Sequence, residues 1–308
     1  MIHHALILTA GLGTRLRPLT DVRAKPAIPV AGEPMIRRIV RWLTSRGVTD
    51  LVLNLHHLPA TITAVAGEGR DLGARIRYSW EQPAILGSGG GPRLALPLIG
   101  ADSFFIINGD TLTDVDLAAL AEVHAASGAL VTLALVPNRA FDRYGGVVLD
   151  EKNRVTGFVP RGPSADGSFH YIGVQLAHAS AFSAIRPGAA ARTIGGLYDS
   201  LMIDRPGAVR GFVLDAAFWD VGTVADYWRT TRAFETGGRS PVTGTARIDP
   251  TAQVTDSILW DDVDVDARAV VEHCILTDGV RIPEDATYRD SILVVRDGGV
   301  AAVPMPVA

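Results

Sequence analysis

The sequence has a single cysteine, Cys274, so it cannot hold an internal disulfide framework, and it fits a reducing compartment. It has no excess of positive charge either. A formal net charge of -4 removes the attraction that non-specific binding to nucleic acid or an anionic membrane requires. Long apolar runs are missing too: residues 1–11 carry no basic leader, and their apolar stretch is too short for a signal peptide or a membrane span. A cytoplasmic protein is expected. The paired histidines His3-His4 and His56-His57 lack a third ligand at useful spacing, so no zinc site is expected. What is present is 308 residues, 47% hydrophobic, 20% charged and with 32 glycines, enough for one large domain and a small one with many tight turns.

Ala5 to Thr9 is a short apolar run that ends at glycines, as a buried parallel strand does. From Pro34 to Arg46, Met35, Ile36, Ile39, Val40 and Leu43 recur at helical spacing and Gly47 closes the segment. Strands are expected at Leu51–Leu55, Ile76–Trp80, Phe104–Ile107 and Leu130–Val136, and a helix at Leu117–Ser127. This alternation predicts an α/β domain with a largely parallel, Rossmann-like sheet, whose ligands bind at the carboxyl ends of the strands. Gly146–Leu149, Val155–Val159 and His170–Leu176 read as strands that extend the sheet and wall a pocket. Thr223 to Phe234 reads as a helix, with Thr223 and Asp226 spaced as a capping box.

The tail differs in kind. After a glycine, proline and hydroxyl-rich linker, Ile248, Val265 and Ile282 align at a spacing of 17 residues, as do Ala252, Ala269 and Ala286, and Ser257, Cys274 and Ser291. A fixed period with single aliphatic and small residues at corners predicts a β-solenoid. Cys274 is then a small inward-facing corner residue. The expected division is a catalytic domain over 1–235, a linker over 236–247, three coils over 248–294 and a tail over 295–308.

The stretch Ala10-Gly11-Leu12-Gly13-Thr14-Arg15-Leu16-Arg17 follows the first strand. The dinucleotide fingerprint fails because Leu16 stands where a third glycine is needed, and the Gly-Lys-Ser/Thr of a P-loop is absent. No hydride-transfer dyad is evident, which removes a dinucleotide-dependent oxidoreductase. Glycines let backbone N–H groups approach an anion, Arg15 can fork onto two phosphate oxygens, and Lys25 can serve as a separate point charge. The competing reading is an ordinary strand-to-helix turn with solvated arginines.

The longer string through Lys25-Pro26, Pro29-Val30, Gly32, Pro34, Met35 and Ile36 resembles the signature of the sugar-phosphate nucleotidyltransferases, also called nucleotide-sugar pyrophosphorylases. Leu86 to Gly91 resembles their second glycine loop, Asn108-Gly109-Asp110 their first metal aspartate, and Trp219-Asp220-Val221-Gly222-Thr223 their second. A short left-handed β-helix also occurs in many members. The resemblance implies transfer of a nucleotidyl group from an NTP to a sugar-1-phosphate with release of pyrophosphate, assisted by Mg2+. It gives catalytic roles to Arg15, Lys25, Asp110 and Asp220, the last two as metal ligands, with Thr223 taking the helix cap. It gives nucleotide contacts to Leu8, Ala10, Gly11, Gly13, Thr14, Gln82, Gly87, Ser88 and Gly89, and sugar-phosphate contacts to Tyr144, Gly145, Arg161 and Tyr171. The chain departs from the pattern on the sugar side: a glutamate that reads sugar hydroxyls is missing near Arg161, and Tyr171 replaces an asparagine. The expected substrates are GTP and mannose-1-phosphate or a related sugar-like phosphate, such as a heptose or cyclitol phosphate. The alternatives are a uridylyltransferase for an amino-sugar phosphate and a catalytically silent regulatory or scaffold subunit. A homo-oligomer through the β-helix is expected, with no nucleic-acid or membrane partner.

Overall fold

A computed structural model describes residues 2–235 and 245–306; most of the expected linker, 236–244, lies outside the described residues. The contacts divide the chain into two units, one of Met1–Gly11, Ile39–Pro59 and Ala66–Phe218, the other of Leu12–Arg38, Ala60–Val65 and Trp219–Ala308.

The first unit is built on a mixed sheet. Its strands are β1 (His4–Leu8), β2 (Asp50–Leu55), β3 (Arg75–Trp80), β4 (Ser103–Asn108), β5 (Val131–Pro137), β6 (Gly146–Leu149), β7 (Val155–Val159), β8 (Phe169–His178) and β9 (Val209–Val213). β3, β2, β1 and β4 lie side by side in parallel, and β9 runs parallel to β5. The long β8 lies antiparallel between β4 and β5, and its first residue also meets β6, which pairs antiparallel with β7. The carboxyl ends of β1, β2, β3, β4, β5 and β9 therefore share one edge, and the first half of β8 projects past the end of β4 on that same edge. The central strands read as continuous apolar runs because both faces are covered: Leu6, Val52, Phe104, Ile106, Leu133 and Leu135 all belong to one buried core.

Besides the single turn Leu19–Val22, the helices among the described residues are α1 (Met35–Thr44), α2 (Pro59–Ala66), α3 (Gly87–Ile99), α4 (Leu117–Ser127), α5 (Tyr198–Asp204) and α6 (Val224–Phe234). The face predicted for α1 is buried at Met35, Ile36, Ile39, Val40 and Leu43. Two differences from the sequence reading stand out. The glycine run expected as a loop opens α3 instead, with Pro92 and Pro97 inside the helix, and β9 with α5 fills a stretch for which no element was expected.

In the second unit the coils stack with the expected register. Ile248 pairs with Val265 and Val265 with Ile282, while Ile258, Ile275 and Ile292 form a second column. All these pairings are parallel, which makes the tail a parallel β-helix. Its interior is aliphatic, with Cys274 buried beside Leu259, Leu276 and Leu293. The Cys274 N–H donates to Ser257 Oγ, the equivalent corner one coil earlier, and burial raises its thiol pKa. Gly299–Pro304 folds back antiparallel on Ser291–Arg296 and covers the last coil. Thr223 caps α6, closing a capping box with Asp226.

Candidate active site

In the first unit, β1 and β4 end beside one another: Leu8 is paired with Asn108, and the Gly109 N–H donates to Leu8 O at 3.0 Å. Asp110 therefore leaves the sheet at the end of β1. Tyr171 on β8 reaches the same place. Its hydroxyl is buried without a hydrogen-bond partner among the described residues, and its pKa is pushed well up by burial first, then by Tyr198 and Asp110. Gly173 has φ +78, and a Cβ there would lie 2.9 Å from Asn108, so only glycine lets β8 pass this close to β4.

The ends of β1, β2 and β3 are tied by a buried polar relay. Asn54 Oδ1 accepts from the Thr9 N–H at 2.7 Å, and Asn54 Nδ2 donates to Glu81 Oε1 at 2.7 Å. Glu81 Oε2 accepts from the Leu86 N–H at 2.6 Å, and the residue is 0% exposed. Ala10 and Gly11 follow this relay at one end, and Gly87, Ser88 and Gly89 begin α3 at the other, with exposed Gln82 between. The N–H groups of Gly89 and Gly90 donate to Ala191 O, and Ser88 Oγ accepts from the Thr193 N–H at 2.9 Å.

Further along the edge, Tyr144 stacks on His170 with ring centroids 4.0 Å apart, and Phe218 lies 5.2 Å from His170. These rings line a cavity of about 490 Å3 with Asn138, Leu214 and Asp215. Asn138 Oδ1 is buried there without a hydrogen-bond partner among the described residues. Burial lowers the His170 pKa to about 4, helped by Arg143 and opposed by a hydrogen bond with the Gly145 backbone. A Cβ on Gly145 would lie 3.0 Å from Val159 O and 3.8 Å from Arg161 N, so the glycine turn and exposed Arg161 adjoin. His170, Asn138 and Glu81 were missed from sequence; His170 sits beside Tyr171, and that adjacency was the one available signal.

In the second unit, Gly13 adopts φ +62, the left-handed conformation that favours glycine, and Thr20 Oγ1 donates to its carbonyl at 2.9 Å. A Cβ on Gly13 would sit 3.4 Å from Lys25 Cβ. Lys25 is only 9% exposed and begins a 3-10 turn, Lys25–Ala27. Thr14 and Arg15 form the exposed 3-10 turn after Gly13. A Cβ on Gly222 would lie 3.2 Å from Arg15 Nη2 and 3.3 Å from both Asp220 Oδ2 and Asp226 Oδ2. Gly222 thus lets one cation and two carboxylates from distant parts of the chain converge. Asp110 in the first unit and Asp220 in the second are each hard oxygen donors of the kind a divalent ion takes.

A nucleotidyl transferase family model matches residues 4–237, and a model of the GlmU-like C-terminal hexapeptide matches 238–288. The chain belongs to the nucleotidyl transferase family. Members of this family generally use a divalent metal ion. The mannose-1-phosphate guanylyltransferase of Mycobacterium tuberculosis is 32% identical over 226 residues, which cover 73% of this chain and 62% of that protein. The N-acetylmuramate α-1-phosphate uridylyltransferase of Neisseria meningitidis is 44% identical over 115 residues, 37% of this chain and 50% of that protein. Among solved structures, HddC from Yersinia pseudotuberculosis superposes with a TM-score of 0.66 at 24% identity, over 76% of this chain and 100% of that one. That likeness is one of fold. The chain spans less than two thirds of the length of the mannose-1-phosphate relative, and among its described residues no helix is long and apolar enough to cross a membrane.

Proposed function

We propose that the chain is a cytoplasmic sugar-1-phosphate nucleotidyltransferase that forms an NDP-sugar and pyrophosphate from an NTP. The observation that carries this reading is the convergence of Arg15 and Asp220 around Gly222, with Lys25 held beside Gly13. In the reaction, an oxygen of the sugar phosphate attacks the α-phosphorus, and the bond from that phosphorus to the bridging oxygen of pyrophosphate breaks on the opposite side. No nucleophile or base from the protein is needed; position and charge are. The N–H groups of Gly11 and Gly13, with Thr14 and Arg15, hold the β- and γ-phosphates that depart. Lys25 stabilises the charge that grows on the α-phosphoryl group. By the family resemblance Asp110 and Asp220 would be the ligands of Mg2+, which when bound would supply neutralising charge to the phosphates. Leu8, Ala10, Gln82 and the Gly87, Ser88 and Gly89 turn form the base side, and Tyr144, Gly145, Arg161 and Tyr171 the sugar-phosphate side.

The substrate pair favoured is GTP with mannose-1-phosphate, supported by the guanylyltransferase relative. Uridylyl transfer to an amino-sugar-1-phosphate is the second reading, supported by the higher local identity to the Neisseria enzyme. Retention of Arg15, Lys25, Asp110 and Asp220 speaks against a catalytically silent subunit. The domain limits proposed are 1–235 for catalysis and 248–294 for the coils, and the hexapeptide match supports a homo-oligomer. Each NTP should be incubated with Mg2+ and a panel of sugar-1-phosphates while pyrophosphate is followed. Release is expected with one pair above all, and no release from any pair would overturn the reading.

A further inference from the structure

Arg23 lies two residues before Lys25, is 8% exposed, and has no role in phosphate binding assigned to it. Its side chain reaches the turns of the β-helix, while Nη1 also donates to Ala27 O at 3.5 Å. Nε and Nη2 donate to the two oxygens of Asp278 at 2.6 Å each, and Nη2 also donates to Asp261 at 2.5 Å. Asp261 and Asp278 occupy the same turn in successive coils, 17 residues apart, and the Asp261 N–H donates to Asp278 Oδ1. Two stacked carboxylates would repel one another without a shared cation, and a guanidinium fork is the group that can hold both. The guanidinium also lies 5.5 Å from the ring centre of Trp260, the fully buried residue just before Asp261.

The far end of the same segment is held from the same coil. Trp260 Nε1 donates to Tyr227 Oη at 2.9 Å, and Tyr227 Oη donates to Pro29 O at 2.8 Å. Residues 23 and 29 are thus both anchored to the coil turn around Trp260, directly at one end and through α6 at the other. Between the anchors are the two hydrogen bonds of the Lys25 turn, from the Ala27 N–H to Ala24 O and from the Ile28 N–H to Lys25 O. Burial works against the charge on Arg23, yet the two carboxylates keep its pKa raised, while burial raises that of Asp278 against the pull of Arg23. A buried set of this kind is held together by its own completeness: removal of one partner strands the others.

We propose that Arg23 is a positioning residue through which the β-helix sets the backbone that presents Lys25, so that the coils are part of the nucleotidyl-transfer apparatus as well as an assembly surface. The inference rests on the role given to Lys25 above. It is tested in the full chain with Arg23→Lys, which keeps the charge but loses the fork, and with the pair Asp261→Asn and Asp278→Asn. Arg268→Gln, which removes an exposed ion pair to Asp285 elsewhere on the coils, is the control.

Amide hydrogen exchange at Ala27 and Ile28 is expected to rise about tenfold or more in Arg23→Lys and in the paired variant, with the β1 and β4 amides and the Arg268→Gln protein unchanged. With the active substrate pair, kcat should fall about 100-fold at a KM for the NTP within about threefold of wild type, the mark of a displaced group that acts in the transition state. Exchange at residues 27 and 28 equal to wild type, with kcat within about twofold, would overturn the proposal. If the wild-type chain turns over no pair, the proposed function fails while the exchange measurement still decides the clamp. If the paired variant does not fold, Arg23→Lys decides it by the same two readouts.

Discussion

Two glycine runs follow sheet strands in this chain, and Gly11 of the first stands apart from the second, whereas Gly13, with its left-handed φ and Thr20 Cγ2 2.7 Å from a Cβ, is required by the fold. At Gly11 a Cβ would meet nothing within 4 Å, and the residue does not need a left-handed φ. At Gly87, Gly90 and Gly91 a Cβ would meet Ala191 O at 2.8 Å, Ala189 O at 2.4 Å and Glu81 Oε1 at 2.4 Å. The second run is glycine because the protein itself occupies the space, since the segment 189–191 and the buried Glu81 close on the first turns of α3. At Gly11 no atom of the described residues explains the missing side chain. A glycine that the fold does not need is a stronger pointer to a ligand than one that it does.

The sharpest way to break this contrast is to remove charge beside the first run. Lys25→Ala and Asp110→Asn should each lower kcat about 1,000-fold, with circular dichroism and Tm near wild type, because each group is assigned to charge that develops in the transition state. Full activity in either variant removes that residue from the role assigned to it.

Stability separates the two runs next. Gly90→Ala replaces a helical glycine, a change that in open space would gain about 1 kcal/mol. Here the methyl group would strike the Ala189 carbonyl, which is backbone, so a loss of about 1–3 kcal/mol is expected in urea unfolding. Gly11→Ala should be neutral or gain up to about 1 kcal/mol through the unfolded chain. It should nonetheless lower turnover about tenfold or more, since its methyl group would stand where phosphate oxygens are assigned. A Gly11→Ala protein that is destabilised, or as active as wild type, would erase the distinction.

The same contrast marks what was legible in the sequence. The coils could be read in advance because each rung repeats the demand of the last one, so 17-residue spacing predicts the pairing of Ile258 with Ile275 directly. The capping box of α6 is local and was equally visible. α3 was hidden because five residues from Gly87 to Gly91 and two prolines carry no helical preference; tertiary contacts with residues 189–193 impose the helix. The phosphate-binding residues proposed, Gly11, Arg15 and Lys25, lie close together in the chain, which is why a sequence pattern can nominate them. The site was not legible where partners are distant: Arg23 finds Asp261 and Asp278 across 238 and 255 residues, and Glu81 finds Asn54 across 27. No local pattern distinguishes such an arginine or glutamate from one on a solvated surface.

The smallest effect concerns the aromatic cavity, where His170 is kept neutral. Its pKa falls from the ordinary 6.5 to about 4, chiefly through burial. Between these values the unfolded chain binds a proton that the folded chain does not, so stability rises with pH across the window. The contribution of the neutral ring is fully present above about 6.5 and is lost as pH falls toward 4. His170→Phe keeps a ring against Tyr144 and Phe218 but has nothing to titrate. Its urea midpoint should therefore decline less between pH 7 and pH 5 than that of the wild type, with His124, also lowered by burial, leaving a residual slope in both proteins. Equal slopes would mean that the imidazole is hydrated in the folded chain and that the cavity wall at this point is open to water.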